Sequence, residues 1–146
     1  VCYLVVLSTS SDEDLSEYNN ELVHFEKEIP DLAEIEKLKY QNKWYLGSKS
    51  GCSCTFRHLY STELGFASPV DWYPEEEDEI DATLQVAKII RQLVNQGESV
   101  DCIDIWEGNK NNQLEIKTIN VNLSEVSDEA FRFMENYLFT FSKSHG

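Results

Sequence analysis

The sequence predicts an α+β domain: a mixed or mostly antiparallel sheet of about 5–6 strands, one long helix over about 75–96 and a C-terminal helix packed on it. Three observations carry that expectation. Short apolar or alternating runs recur between polar, turn-rich segments, as strands do. The run from Glu75 to Gln96 repeats apolar residues at helical spacing. No repeat or linker divides the 146 residues, of which 41% are apolar, so the length suits a single domain over 1–146 with its own core.

The elements follow in order. Val1 to Leu7 is apolar on both alternating faces, which suits a central strand covered on both sides. The serine-rich acidic run from Ser8 to Asn20 reads as a solvated loop. Glu21 to Ile29 alternates as a half-exposed strand ended by Pro30, with His24 on its surface. Asp31 can cap a short helix, Leu32 to Leu38, whose Leu32, Ile35 and Leu38 lie three apart. Lys43–Leu46 and Cys54–Tyr60 read as two short strands of a hairpin around the glycine-bracketed turn Gly47–Gly51.

Thr62 to Tyr73 reads as an ordered loop leading to the long helix. Pro74 precedes that helix, and Glu75, Glu76, Glu77 and Asp78 place negative charge on its first turn, where the helix dipole favours it. Ile80, Leu84, Ala87, Ile90 and Val94 form its expected core stripe, widened by Val86, Ile89 and Leu93, and Gly97 is a natural stop. Val100–Trp106 and Leu114–Leu123 are expected to pair as a second hairpin across the turn 108–113. They place Cys102, Asp104 and Trp106 on one face, so Asp101, Cys102 and Asp104 could join a site at Cys52 and Cys54, although an Asp at a strand end beside a turn is at least as often simply exposed. The tail fits two periods: Phe131, Phe133, Tyr137, Phe139 and Phe141 alternate as in a strand, whereas Ala130, Phe133, Met134, Tyr137, Leu138 and Phe141 fill a helical stripe. Ser127, followed by Asp128 and Glu129, resembles a helix cap, and this favours helix.

Composition narrows the function. Acids outnumber bases 27 to 12, a formal net charge of −15. That field repels nucleic-acid backbones and anionic membranes and attracts cationic protein surfaces. The apolar opening is too short for a membrane span and lacks the basic flank of a signal peptide. Four cysteines are too few for a disulfide scaffold. The expectation is a cytoplasmic protein with reduced thiols, and the Asn122-Leu123-Ser124 sequon is then accidental.

Reactive residue types crowd into Lys43–Leu59, KWYLGSKSGCSCTFRHL. Along an extended strand Cys52, Cys54 and His58 share a face, but Cys54 and His58 would stand about 13 Å apart, too far to share an ion. The paired cysteine spacings of zinc sites and a fourth ligand are also missing, so neither metal nor cofactor is expected. Thiol chemistry at Cys52 or Cys54, with His58 and Arg57 lowering a thiol pKa, is the enzymatic alternative. Against it stands the simpler role of cysteine as a small buried hydrophobe. No nucleophile elbow, phosphate loop, dinucleotide fingerprint or paired-histidine zinc motif is present.

The preferred expectation is therefore a protein–protein interaction module, of the inhibitor, immunity or adaptor kind, meeting a basic protein. Its binding residues are Asp71, Trp72, Tyr73, Glu75, Glu76, Glu77 and Asp78, where aromatic anchors adjoin charge fixed on a helix start. For Trp72 and Tyr73 the competing role is to pack that helix onto the core.

Overall fold

In a computed structural model, residues 3–49, 51–59, 65–70, 72–106 and 116–143 are described. The strands are β1 (Tyr3–Thr9), β2 (Val23–Glu26), β3 (Asn42–Ser48), β4 (His58–Leu59), β5 (Val100–Trp106), β6 (Lys117–Asn122), β7 (Phe133–Met134) and β8 (Tyr137–Ser142). The helix α1 spans Glu77–Asn95. Six strands form one mixed sheet in the order β2-β3-β1-β5-β8-β6, with only the β8/β6 pair parallel. β4 and β7 make a separate short parallel pair.

β1 is central, as its doubly apolar pattern requires. Val5 and Leu7 face the large core beneath α1, while Val6 faces a smaller core on the other side of the sheet. Residues 29–38 cover that second face, contributing Ile29, Leu32, Ile35 and Leu38 around a 3-10 turn, Ala33–Lys37, in place of the expected helix. The acidic loop after β1 is also more ordered than its composition suggests. Asp14 Oδ1 accepts from Ser16 N at 3.0 Å and caps a 3-10 turn, Leu15–Tyr18, that buries Leu15 in the core.

Three expectations are corrected. Residues 131–142 are not a helix. Phe131 is followed by β7, a turn with Asn136 at φ 62°, and β8. Both periods fit the sequence, but a strand here fills the place between β5 and β6. It aims Phe139 at the α1 core and Leu138 at the opposite one. Asn tolerates the left-handed conformation that the turn needs.

Neither expected hairpin forms. β3 is flanked by β1 and β2, so residues 51–56 turn away, and β4 instead pairs with β7. β8 separates β5 from β6; residues 107–115, which hold the expected turn, lie outside those described.

α1 also sits rotated from its expected orientation. Its fully buried positions are Ala82, Thr83, Val86, Ala87, Ile89, Ile90 and Leu93, whereas Ile80 and Leu84 are half-buried. Small Ala82 and Thr83 allow the first half of the helix to approach the layer below. There Thr83 Oγ1 accepts the Arg57 N–H at 2.8 Å.

Candidate functional site

The segment before α1 is fixed from beneath by a buried charge cluster. Arg57 Nε and Nη2 donate to the two oxygens of Glu75 at 2.8 and 2.9 Å, a bidentate pair. Its remaining donors reach the carbonyls of Ala67 (2.9 Å), Glu129 (2.7 Å) and Phe131 (3.2 Å). All five guanidinium N–H groups thus have partners. Glu75 Oε1 also accepts from Arg132 Nη2 at 3.2 Å, and Arg132 Nη1 donates to the Gly65 carbonyl at 3.4 Å. One carboxylate therefore serves two buried guanidiniums. Burial and the nearby Arg57 charge hold the Arg132 pKa below its usual value.

Upon this base stands Trp72, 73% exposed. Tyr73 beside it is half-buried against the core, its ring 5.9 Å from the Arg132 guanidinium, and Tyr73 N donates back to the Val70 carbonyl at 3.3 Å. Glu76 is the N-cap of α1 and forms a reciprocal capping box with Glu79, its own N–H reaching Glu79 Oε1 at 2.9 Å. Glu76 and Glu77 are exposed, and Asp78 pairs with Lys49 at 2.8 Å. Of the expected binding residues, Trp72, Glu76, Glu77 and Asp78 share this helix start. Glu75 is turned inward with a 6% exposed side chain. Asp71 lies outside the described residues.

The cysteine segment is arranged differently from an extended strand. Cys52 and Cys54 are half-buried on either side of buried Ser53, whose Oγ donates to the Leu46 carbonyl at 2.5 Å and accepts from Val5 N at 2.9 Å. His58 is enclosed, its side chain 5% exposed. Its Nδ1 lies 2.8 Å from Asp104 Oδ2, its Nε2 2.6 Å from the Ser53 carbonyl, and its ring stacks on Tyr3 at 3.8 Å. A carbonyl only accepts, so Nε2 carries a proton and has no lone pair to serve as a base. Arg57, the other group expected to tune a thiolate, spends its donors on Glu75 and carbonyls.

Burial pulls the His58 pKa down, but the Asp104 charge, the hydrogen bond between them and the Ser53 carbonyl together leave it raised. Burial raises the Asp104 carboxyl, with His58 pulling back, and Asp104 Oδ1 has no hydrogen-bond partner among the described residues. Burial also pushes the Cys102 thiol well up, against reactivity there. Among the described residues no group of three or more His, Cys, Asp or Glu side chains is placed to hold a metal ion.

Sequence reasoning did not find the Arg57–Glu75–Arg132 cluster, and it offered Asp104 as a residue that could join the cysteine segment without pairing it to His58. One signal was available for the first: Arg57 and Arg132 each follow a phenylalanine inside an apolar run, TFRHL and AFRFM, where a base is buried only with partners. The pairings themselves join residues far apart in the chain.

A mixed six-stranded sheet carrying one long helix and a pinned, acidic helix start is thus the class of structure this chain adopts. No protein-family model, curated protein or solved structure matches the chain. No helix among the described residues is long and apolar enough to cross a membrane.

Proposed function

We propose that the protein acts by protein–protein association, as an inhibitor, immunity or adaptor type of module, and presents Trp72 and the acidic start of α1 to a basic partner. The observation that carries this reading is Trp72. It is the one large hydrophobic side chain strongly exposed among the described residues, and it stands on a segment held by the buried Arg57–Glu75 pair.

Aromatic area fixed in place loses little freedom on binding and makes an effective anchor. Glu76 and Glu77 beside it, within a chain of net charge −15, would steer a cationic surface toward that anchor. The thiol-dependent alternative is less well supported, because His58 and Arg57 direct their donors elsewhere.

Affinity capture from the source cell tests the proposal, with wild type compared against a variant carrying Trp72→Ala, Glu76→Gln and Glu77→Gln. A basic protein retained by wild type and lost by the variant is expected. Retention of the same proteins by both, or of acidic and neutral proteins alone, overturns the reading.

A further inference from the structure

The rotation of α1 leaves Ile80 and Leu84 half-buried at a pocket of about 230 Å³. With Phe131 and Pro69 they give it an apolar lining, and Arg57 also borders it. Arg57 offers an occupant no free donor, since every guanidinium N–H is already directed at Glu75 or a carbonyl. The pocket is smaller than the roughly 300–1,000 Å³ usual for cofactors and drug-sized ligands, and a single side chain is the occupant that suits it.

Its rim is anionic. Asp128 and Glu129 both border it. Asp128 is engaged by Arg91 Nε at 2.7 Å. Glu129 is exposed, its side chain forms no ion pair among the described residues, and only its backbone carbonyl is used, by Arg57. An apolar lining bordered by Glu129, an exposed acid with no ion-pair partner among the described residues, matches a side chain with an alkyl stem and a cationic head, which buries the stem and keeps its charge at the surface. An anionic occupant would be repelled by the Glu129 charge, and a purely apolar one would gain nothing from it.

We propose that this pocket receives a lysine or arginine side chain of the basic partner, the stem against Ile80, Leu84 and Phe131 and the cation at the Glu129 carboxylate. The assignment rests on the reading of the acidic helix start as a docking surface and adds to it the specificity pocket. Trp72 would be the anchor the protein projects, and the pocket the place where it receives one in return, as paired anchors do across interfaces.

The experiment uses n-pentylammonium as the probe, titrated into ¹⁵N-labelled protein and followed through backbone amide shifts. Pentan-1-ol and pentanoate serve as neutral and anionic controls. Saturable shifts at Ile80, Leu84, Glu129 and Phe131 with the ammonium alone are expected, at millimolar affinity. Glu129→Gln should weaken that binding about two- to fivefold, the size of one exposed ion pair. This exposed substitution keeps the carbonyl that Arg57 uses. Equal binding of pentan-1-ol or pentanoate, shifts scattered over the acidic surface without these residues, or no saturable shift would each overturn the pocket assignment. If the titration fails while capture of a basic partner still depends on Trp72, the pocket alone falls. If that capture fails, the docking reading falls independently of the titration.

Discussion

Arg57 and Glu75, eighteen positions apart, meet through two parallel hydrogen bonds of 2.8 and 2.9 Å in the interior. This pair ties the cysteine-bearing turn to the segment that presents Trp72. Its importance lies in what would remain without it, since Arg132 also leans on the same carboxylate.

Glu75→Gln therefore leaves two buried guanidiniums without a counter-charge. Breaking a buried pair from one side costs about 3–5 kcal/mol. Urea unfolding of the variant should show a loss of that size. A change under about 1 kcal/mol would mean the cluster is open to water and screened like a surface pair. Glu75 was expected among the exposed acids of the helix start; its inward turn removes it from any test of surface charge.

The pair formed by His58 and Asp104 makes stability depend on pH. The folded His58 pKa is raised above its ordinary 6.5, so its contribution is fully present below that value and is lost as pH rises through the folded pKa. Asp104 is also raised, from 3.8, and so acts with the same sign: deprotonation of the buried pair disfavours the fold. Melting temperature should fall as pH climbs above about 6.5, the ordinary histidine value. General repulsion among the acids has the same sign, so the diagnostic quantity is the difference from the double variant His58→Gln with Asp104→Asn, which removes both groups and whose decline over that range should be shallower. Parallel curves for the two proteins would count against a proton held between His58 and Asp104.

Within α1, Ile90→Ala should cost about 2–5 kcal/mol, because Ile90 is fully buried. Leu84→Ala should cost roughly half as much, in proportion to the smaller apolar area it removes from water. Glu76→Gln, at the exposed N-cap, should cost about 1 kcal/mol. Denaturant melts that place Leu84→Ala level with Ile90→Ala would mean the helix faces the sheet as its spacing alone suggested.

These contrasts also locate what a sequence can convey. The central position of β1 was legible because Val5, Val6 and Leu7 are apolar on both faces, and the start of α1 to within two residues because Pro74 and the acids after it mark it, although Glu75 precedes the N-cap Glu76. The orientation of α1 was not, because Thr83 faces inward through a hydrogen bond to Arg57, and hydrophobic spacing carries no record of a polar contact. The tail was ambiguous in principle. Its aromatic residues satisfy both periods, and only the pairing of β8 with β5 and β6 decides for strand. Of the site, Trp72, Glu76, Glu77 and Asp78 could be named from local signals. The inward Glu75 and the enclosure of His58 depend on Arg132 and Asp104, which lie 57 and 46 positions away.

The proposed docking surface separates two kinds of acid. Asp14 caps a turn and Glu13 accepts from Tyr18 Oη at 2.5 Å, so the acids after β1 serve local structure. Replacing Asp12 with Asn should leave association with the basic partner nearly unchanged. Glu76→Gln with Glu77→Gln should slow it several-fold, since rim charge acts chiefly on the association rate. Binding kinetics on a biosensor surface distinguish the two; equal effects would indicate steering by net charge alone.

The most direct measurement is the association rate of wild type with its captured partner between roughly 0.05 and 0.15 M salt, across which screening shortens from about 14 to 8 Å. The rate is predicted to fall several-fold over this range, and Trp72→Ala is predicted to speed dissociation at least tenfold, a hot-spot loss of about 1.4 kcal/mol or more. An association rate indifferent to salt, together with a dissociation rate indifferent to Trp72, would contradict docking at the acidic start of α1.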